Sequence, residues 1–241
     1  MFRQAKQNRI FEDVVEQIQD VIIQGKLKPG DKLPPERELK EMFGASRGTL
    51  REALRILEQK GLITIKTGIT GGAVVNALTT DQISESLDLL IRYKKVSLRD
   101  LAEFREGVEG IVAGLAAERA KSEDITQLEE LLAEAKIHLE HGIGNWDEFI
   151  KADNKIHLTL AHIAGNYIYE SVLKTVYRNI NLYFGQFLPR KEKLLRENYQ
   201  DLHEIVEAVK NGQAAQAHLL VQNHVYRFNR LMEEKAQQSE T

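Results

Sequence analysis

With 241 residues, 42% of them hydrophobic, the chain is long enough for two domains, each with a core of its own. It has no cysteine, which excludes disulfides, iron–sulfur clusters and thiolate-ligated zinc and fits a reducing cytoplasm. The net charge of −3 is divided: residues 1–75 hold 13 Lys+Arg against 10 Asp+Glu and the remainder 20 against 26, so the basic character lies in the first third.

The N-terminal MFRQAKQNRIFEDVV lacks the apolar stretch of a signal peptide, and no run approaches the ~18 residues of a membrane span. Arg9 to Gly25 reads as an amphipathic helix with Phe11, Val14, Val15, Ile18 and Ile22 on its apolar side. A second helix starts at Pro34-Pro35, where a first-turn proline is tolerated, carries Leu39, Met42 and Phe43, and stops at Gly44 as a left-handed cap would. Ser46 can cap a third helix that runs to about Lys60 and buries Leu50, Ala53, Leu54 and Leu57. Leu62–Ile65 and Ala73–Val75 read as two short strands around the glycine-rich tip Lys66-Thr67-Gly68-Ile69-Thr70-Gly71-Gly72.

Helix, tight turn, helix and glycine-rich hairpin in this order predict a winged helix-turn-helix, hence binding to double-stranded DNA. Ser46, Arg47, Gly48, Thr49 and Arg51 cluster at the N-terminal end of the third helix, the end a recognition helix presents to the major groove. Arginine can donate bidentately to guanine, threonine reaches phosphate or the thymine methyl, and Gly48 permits close approach. Lys66 offers a phosphate contact from the wing. On an arbitrary helix Arg47, Arg51 and Arg55 would be only a solvated charged face; the motif order favours DNA contact.

PGDKLPPEREL, FGASRGTLREAL, LEQKGLI and the glycine-rich wing together resemble the N-terminal domain of the GntR family of bacterial transcription regulators. That resemblance implies operator contacts from Arg37, Ser46, Arg47, Thr49, Arg51 and Gly68. Relatives often carry threonine at the position of Gly48, which here can contribute backbone only.

Asn76 to Thr80 breaks the periodicity and reads as a linker. The expected organisation is a winged helix-turn-helix over 1–75, the linker 76–80, an all-α helical bundle over 81–236 and a frayed tail 237–241. Helices are expected near 81–94, 98–120, 123–141, 146–164, 167–188, 190–210 and 212–236, with starts at Ser97, Ser122 and Gly212.

In this second domain Asp153 and His157 interrupt one apolar stripe at a spacing of four, which lets a helix give two ligands to one metal. His224 interrupts the stripe of the last helix, and His203 sits beside Leu202 and Val206 on the helix before it. Spacing leaves two readings open: core histidines satisfied by hydrogen bonds, or a metal that satisfies all four groups. Asp153-x-x-x-His157, Ala164-Gly165-Asn166, LHEIVEAVKNGQAAQA and the histidine of the last helix resemble the all-helical effector domain of the FadR subfamily. The resemblance implies Asp153, His157, His203 and His224 as ligands, to zinc first and to nickel or manganese as alternatives.

Arg105 occupies a core-facing slot between Leu101 and Val108 and must be paired. It is either half of a salt bridge, with Glu109 or an acid on a neighbouring helix, or a clamp for an anionic ligand. The segment EFREGVEGIVAGLAAERA resembles the first long effector-domain helix of the subfamily, where such an arginine meets a carboxylate effector. The expected function is a cytoplasmic, homodimeric regulator, a repressor by family habit, that binds a palindromic operator and senses a small carboxylate at the metal. One alternative is a structural metal with an acyl-coenzyme A effector. The other is a metal-dependent hydrolase, disfavoured because four protein ligands leave little open coordination.

Overall fold

The computed structural model describes residues 9–68, 71–77 and 96–239, with a few positions between 85 and 93. The chain forms two compact units, Met1–Gln82 and Ile83–Thr241. Most of the expected linker and of the helix expected at 81–94 lies outside the described residues, as do Ile69 and Thr70 of the wing tip.

Unit 1 holds three helices, α1 (Arg9–Ile23), α2 (Glu36–Phe43) and α3 (Arg47–Gln59), and a hairpin of β1 (Ile63–Lys66) and β2 (Gly72–Val75). Local chemistry sets each boundary. Pro35 precedes the first turn of α2, and Gly44 ends it in the left-handed region at φ 59°. Ser46 caps α3 by accepting from the backbone N–H of Thr49 at 3.1 Å. The strands pair antiparallel, Ile63 opposite Val75 and Lys66 opposite Gly72. Residues 30–33 extend this ladder on the far edge of β2, where Leu33 N–H donates to Ala73 O at 2.9 Å. Val14, Ile18 and Ile22 of α1 close over Leu50, Leu54 and Leu57 of α3 as the core. Met42, expected on the apolar side of α2, is 71% exposed; Phe43 takes the inward position one residue on.

Unit 2 is helical throughout its described part: α4 (Leu98–Arg119), α5 (Ser122–Glu140), a 3-10 turn (Gly142–Asn145), α6 (Trp146–Ile163), α7 (Tyr167–Phe187), α8 (Glu192–Lys210) and α9 (Ala214–Ser239). Ser97 and Asp100 start α4 with a reciprocal capping box. α5 begins at Ser122 as expected, with the N–H of Lys121 before it held by Asp124 at 2.8 Å. One expected start shifts. Gly212 (φ 67°) terminates α8 instead of opening α9. Leu188 takes an extended conformation before Pro189 and separates α7 from α8. The last helix runs on through residues 237–239, which were expected to fray.

Phe149, Ala152, Ile156, Leu160 and Ala161 are all essentially inaccessible, so α6 is buried around most of its circumference. It contacts α4, α5, α7 and α8. Any polar side chain on its inner faces therefore needs a partner from a neighbouring helix.

Candidate DNA-reading surface and metal centre

In unit 1 the N-terminal end of α3 is presented to solvent with Ser46, Arg47, Gly48 and Arg51 exposed and Thr49 half-buried. Ser46 Oγ lies 2.9 Å from Thr49 Oγ1, which ties both hydroxyls to the helix start. Arg51 Nε donates to Glu36 Oε2 at 3.0 Å, an exposed pair that fixes the guanidinium beside α2 at little energetic cost to release. A Cβ added at Gly48 would meet only Ser46 Oγ, at 3.8 Å, so nothing in the described fold requires glycine there. Arg37, Lys66 and Gly68 are exposed, the first on α2 and the others on the wing. On the wing, Gly71 N–H donates to Gly68 O at 2.9 Å, and a Cβ on Gly71 would stand 2.4 Å from Lys66 O.

In unit 2, Asp153 and His157 of α6 and His224 of α9 come together, each buried, with one ligand-type atom apiece inside 4.8 Å of the others. Asp153 Oδ1 lies 3.9 Å from His157 Nε2 and 3.5 Å from His224 Nε2, at ion-pair rather than hydrogen-bonding geometry. Asp153 Oδ1 and His157 Nε2 are buried without a hydrogen-bond partner among the described residues. The opposite nitrogens are held: His157 Nδ1 lies 2.8 Å from Glu109 Oε2, and His224 Nδ1 lies 2.9 Å from Asp201 Oδ2.

Glu109 belongs to a buried network. Arg105 Nε donates to its Oε1 at 2.5 Å, Tyr177 Oη donates to its Oε2 at 2.6 Å, and Arg105 Nη2 donates to Tyr177 Oη at 3.0 Å. Among the described residues Arg105 Nη1 has no hydrogen-bond partner. Burial opposes both charges, but mutual attraction prevails. The Glu109 carboxyl is held down to about 2 by Arg105 and His157, and the Arg105 guanidinium is held still more firmly protonated by Glu109 and Tyr177. Against the same burial, His224 and His157 keep Asp153 below the usual carboxylate range. Asp153 and Asp201 in turn raise His224.

The structure corrects one ligand. His203 is exposed, with its ring 6.5 Å from that of Tyr199, and it takes no part in the cluster. The inward stripe of α8 runs Leu195, Asn198, Leu202, Ile205 and Val209, and one residue on a helix turns the side chain by about 100°. Asp201, on the other side of Leu202, is what reaches the site. Sequence reasoning missed Tyr177, Asp201 and Arg227; the stripe through Leu202 was the available signal that position 203 faces outward.

The sequence matches the FCD domain over residues 100–227 and the bacterial regulatory proteins, gntR family, over residues 10–74. The chain belongs to the GntR family. Like the family members it resembles, it is a transcription regulator and not an enzyme. The HTH-type transcriptional regulator LutR of Bacillus subtilis is 31% identical over 214 residues, which span 85% of this chain and 93% of that protein. The Uxu operon regulator of Haemophilus influenzae is 30% identical over 225 residues, 90% of this chain and 80% of that one. Streptococcus agalactiae GntR shares the fold at a TM-score of 0.66 and 24% identity, covering 91% of this chain and 99% of its own. Among the described residues no helix is long and apolar enough to cross a membrane.

Proposed function

We propose that this GntR-family regulator binds a palindromic operator as a homodimer through residues 1–75 and senses a small carboxylate at a metal centre in the helical domain from residue 81. In this reading 76–80 is the linker and the protein works in the cytoplasm. The observation that carries the sensing half is the convergence of Asp153 Oδ1 with two imidazole Nε2 atoms in a buried site where Oδ1 and His157 Nε2 lack partners. Buried polar atoms are left unsatisfied at a cost, and a cation would remove it. Asp153, His157 and His224 would hold the metal. A carboxylate and two imidazoles accept zinc, nickel or manganese, and zinc is our first choice. Bound there, the metal supplies positive charge to an anionic effector. Arg105 would make the second contact through Nη1, while Nε and Nη2 stay on Glu109 and Tyr177.

In the DNA half, Arg47, Arg51 and Thr49 read bases or phosphates, Ser46 and Arg37 position the helix, and Lys66 and Gly68 bring the wing to the backbone. Gly48 supports close approach, since the fold itself does not ask for it. One recognition helix covers few base pairs, which is why two are invoked. The test is operator binding followed by fluorescence anisotropy while small carboxylates are titrated into metal-loaded protein. A carboxylate should change operator affinity only when the metal is present. An identical response after chelation would sink the metal-centred reading.

A further inference from the structure

Each imidazole of the cluster is gripped from behind by a carboxylate that is itself gripped by an arginine. We propose that Glu109 and Asp201 are positioning residues that lock His157 and His224 in the tautomer with hydrogen on Nδ1, so that both Nε2 lone pairs face the position shared with Asp153. The purpose of the lock rests on the metal reading above; the lock itself does not.

The chemistry of the acceptors carries the inference. An ionised carboxylate only accepts, so the ring nitrogen facing it must bear the hydrogen. Glu109 receives donors at both oxygens besides His157: Arg105 Nε at 2.5 Å and Tyr177 Oη at 2.6 Å. Arg105, paired with Oε1 at 2.5 Å, supplies the opposite charge to a carboxylate, so Glu109 accepts at Oε2 as well and the hydrogen between Oε2 and Nδ1 belongs to the ring. Asp201 is met in the same way by Arg227, whose Nη2 donates to Oδ2 and whose Nη1 lies 3.4 Å from Oδ1. The two arms therefore read arginine–carboxylate–imidazole: Arg105–Glu109–His157, and Arg227–Asp201–His224. Both end at Asp153 Oδ1, with Nε2 distances of 3.9 and 3.5 Å.

The arms differ in a way that makes the idea testable. Arg105 and Glu109 are 2% and 3% exposed, so that arm is part of the core, whereas Arg227 and Asp201 retain 37% and 24%. Asp201 can be changed without opening the interior. Outer carboxylates that orient metal-bound histidines are typically worth about 10–100-fold in metal affinity.

The experiment compares wild type, Asp201→Asn and Asp201→Glu. Long-range proton–nitrogen spectra of histidine-labelled protein are recorded zinc-loaded, and metal-free at a pH where the imidazoles are neutral. Zinc affinity is measured by chelator competition. In wild type both rings should carry hydrogen on Nδ1. Asp201→Asn should give His224 a mixture of tautomers, leave His157 unchanged, and weaken zinc binding about 10–100-fold at unchanged stoichiometry; Asp201→Glu should recover part of the loss. Hydrogen on Nε2 of either ring in metal-free wild type, or an Asp201→Asn protein with wild-type tautomers and affinity, overturns the proposal. If Asp201→Asn fails to fold, Arg227→Gln, which frees Asp201 while keeping its charge, should produce the same changes at smaller size, and their absence there overturns it equally. Wild type that binds no zinc would remove the metal reading, while the metal-free spectra would still decide the tautomers.

Discussion

Arg105 and Glu109 form an ion pair one helical turn apart on α4, and the pair is sealed from solvent: Nε to Oε1 is 2.5 Å, with the side chains 2% and 3% exposed. A buried pair is weak evidence for stability as a whole, yet breaking one side of it is costly because the remaining charge has nowhere to go. Arg105→Ala should therefore lower the unfolding free energy of the helical domain by about 3–5 kcal/mol. Urea denaturation measures it, and a variant as stable as wild type would mean the pair does not hold this part of α4. Whether Arg105 also meets an effector is then read from a titration on Arg105→Lys, which keeps the charge but loses the planar fork.

Metal content separates the three inward groups from the outward histidine. Protein as purified should carry about one first-row divalent metal per subunit, as a single centre would. Asp153→Ala or His224→Ala should lose it, while His203→Ala should keep it in full. Elemental analysis reports this directly. Loss of metal in His203→Ala would restore that residue to the site. Because the ligands come from two helices, α6 and α9, chelation should also lower the melting temperature of this domain.

Arg47→Ala and Arg51→Ala should each cost about 1–3 kcal/mol of operator affinity where the guanidinium reads a base, with relaxed preference at one position. Glu36→Gln should leave Arg51 less ordered and blur the same position without abolishing binding. Lys66→Ala should weaken specific and unrelated DNA alike and reduce the salt slope by about 0.9. Unchanged binding in both arginine variants would displace α3 as the reading element.

Acid should loosen the start of α4. Ser97 donates to the Asp100 carboxylate through its backbone N–H and its hydroxyl, each at 2.7 Å, and these bonds hold Asp100 below its ordinary value of 3.8. A carboxyl whose pKa is lower in the folded chain stabilises the fold above its unfolded value and loses that contribution as pH falls through the folded one. The stability gap between wild type and Asp100→Asn should thus be full at neutral pH and close in acid below 3.8. Denaturation midpoints against pH measure it; a gap constant down to low pH would assign the effect to something other than the charge.

Features with a local cause were legible in the sequence. Ser46 and Ser97 cap because a side-chain oxygen can reach a free N–H three residues on, and Gly44 ends α2 because it tolerates the left-handed region. Asp153 and His157 were legible as a pair because one helix turn relates them. His203 was misplaced because resemblance outweighed the phase of its own helix, in which Leu202 points inward and its neighbour cannot. Among the described residues three ligand-type groups converge rather than four, which leaves coordination open; membership of the GntR family is what sets hydrolysis aside. Tyr177 closes on Glu109 from 68 residues away and Asp201 on His224 from 23; both contacts depend on helix packing, to which no spacing rule points.

The glycine at position 110 has a consequence of its own. A Cβ there would stand 2.9 Å from the backbone oxygen of His218, so α4 and α9 pack main chain against main chain at this level. Glu109 is its immediate neighbour on α4, and His224 lies six residues beyond His218 on α9. Absent bulk here, and again at Gly114, where an added Cβ would meet Ala214 O at 3.3 Å, works as a gauge: it sets how near the helix that carries Glu109 can come to the helix that carries His224. A single added methyl at Gly110 would be a wedge, opening the gap between the two helices before it reached the buried carboxylates and imidazoles.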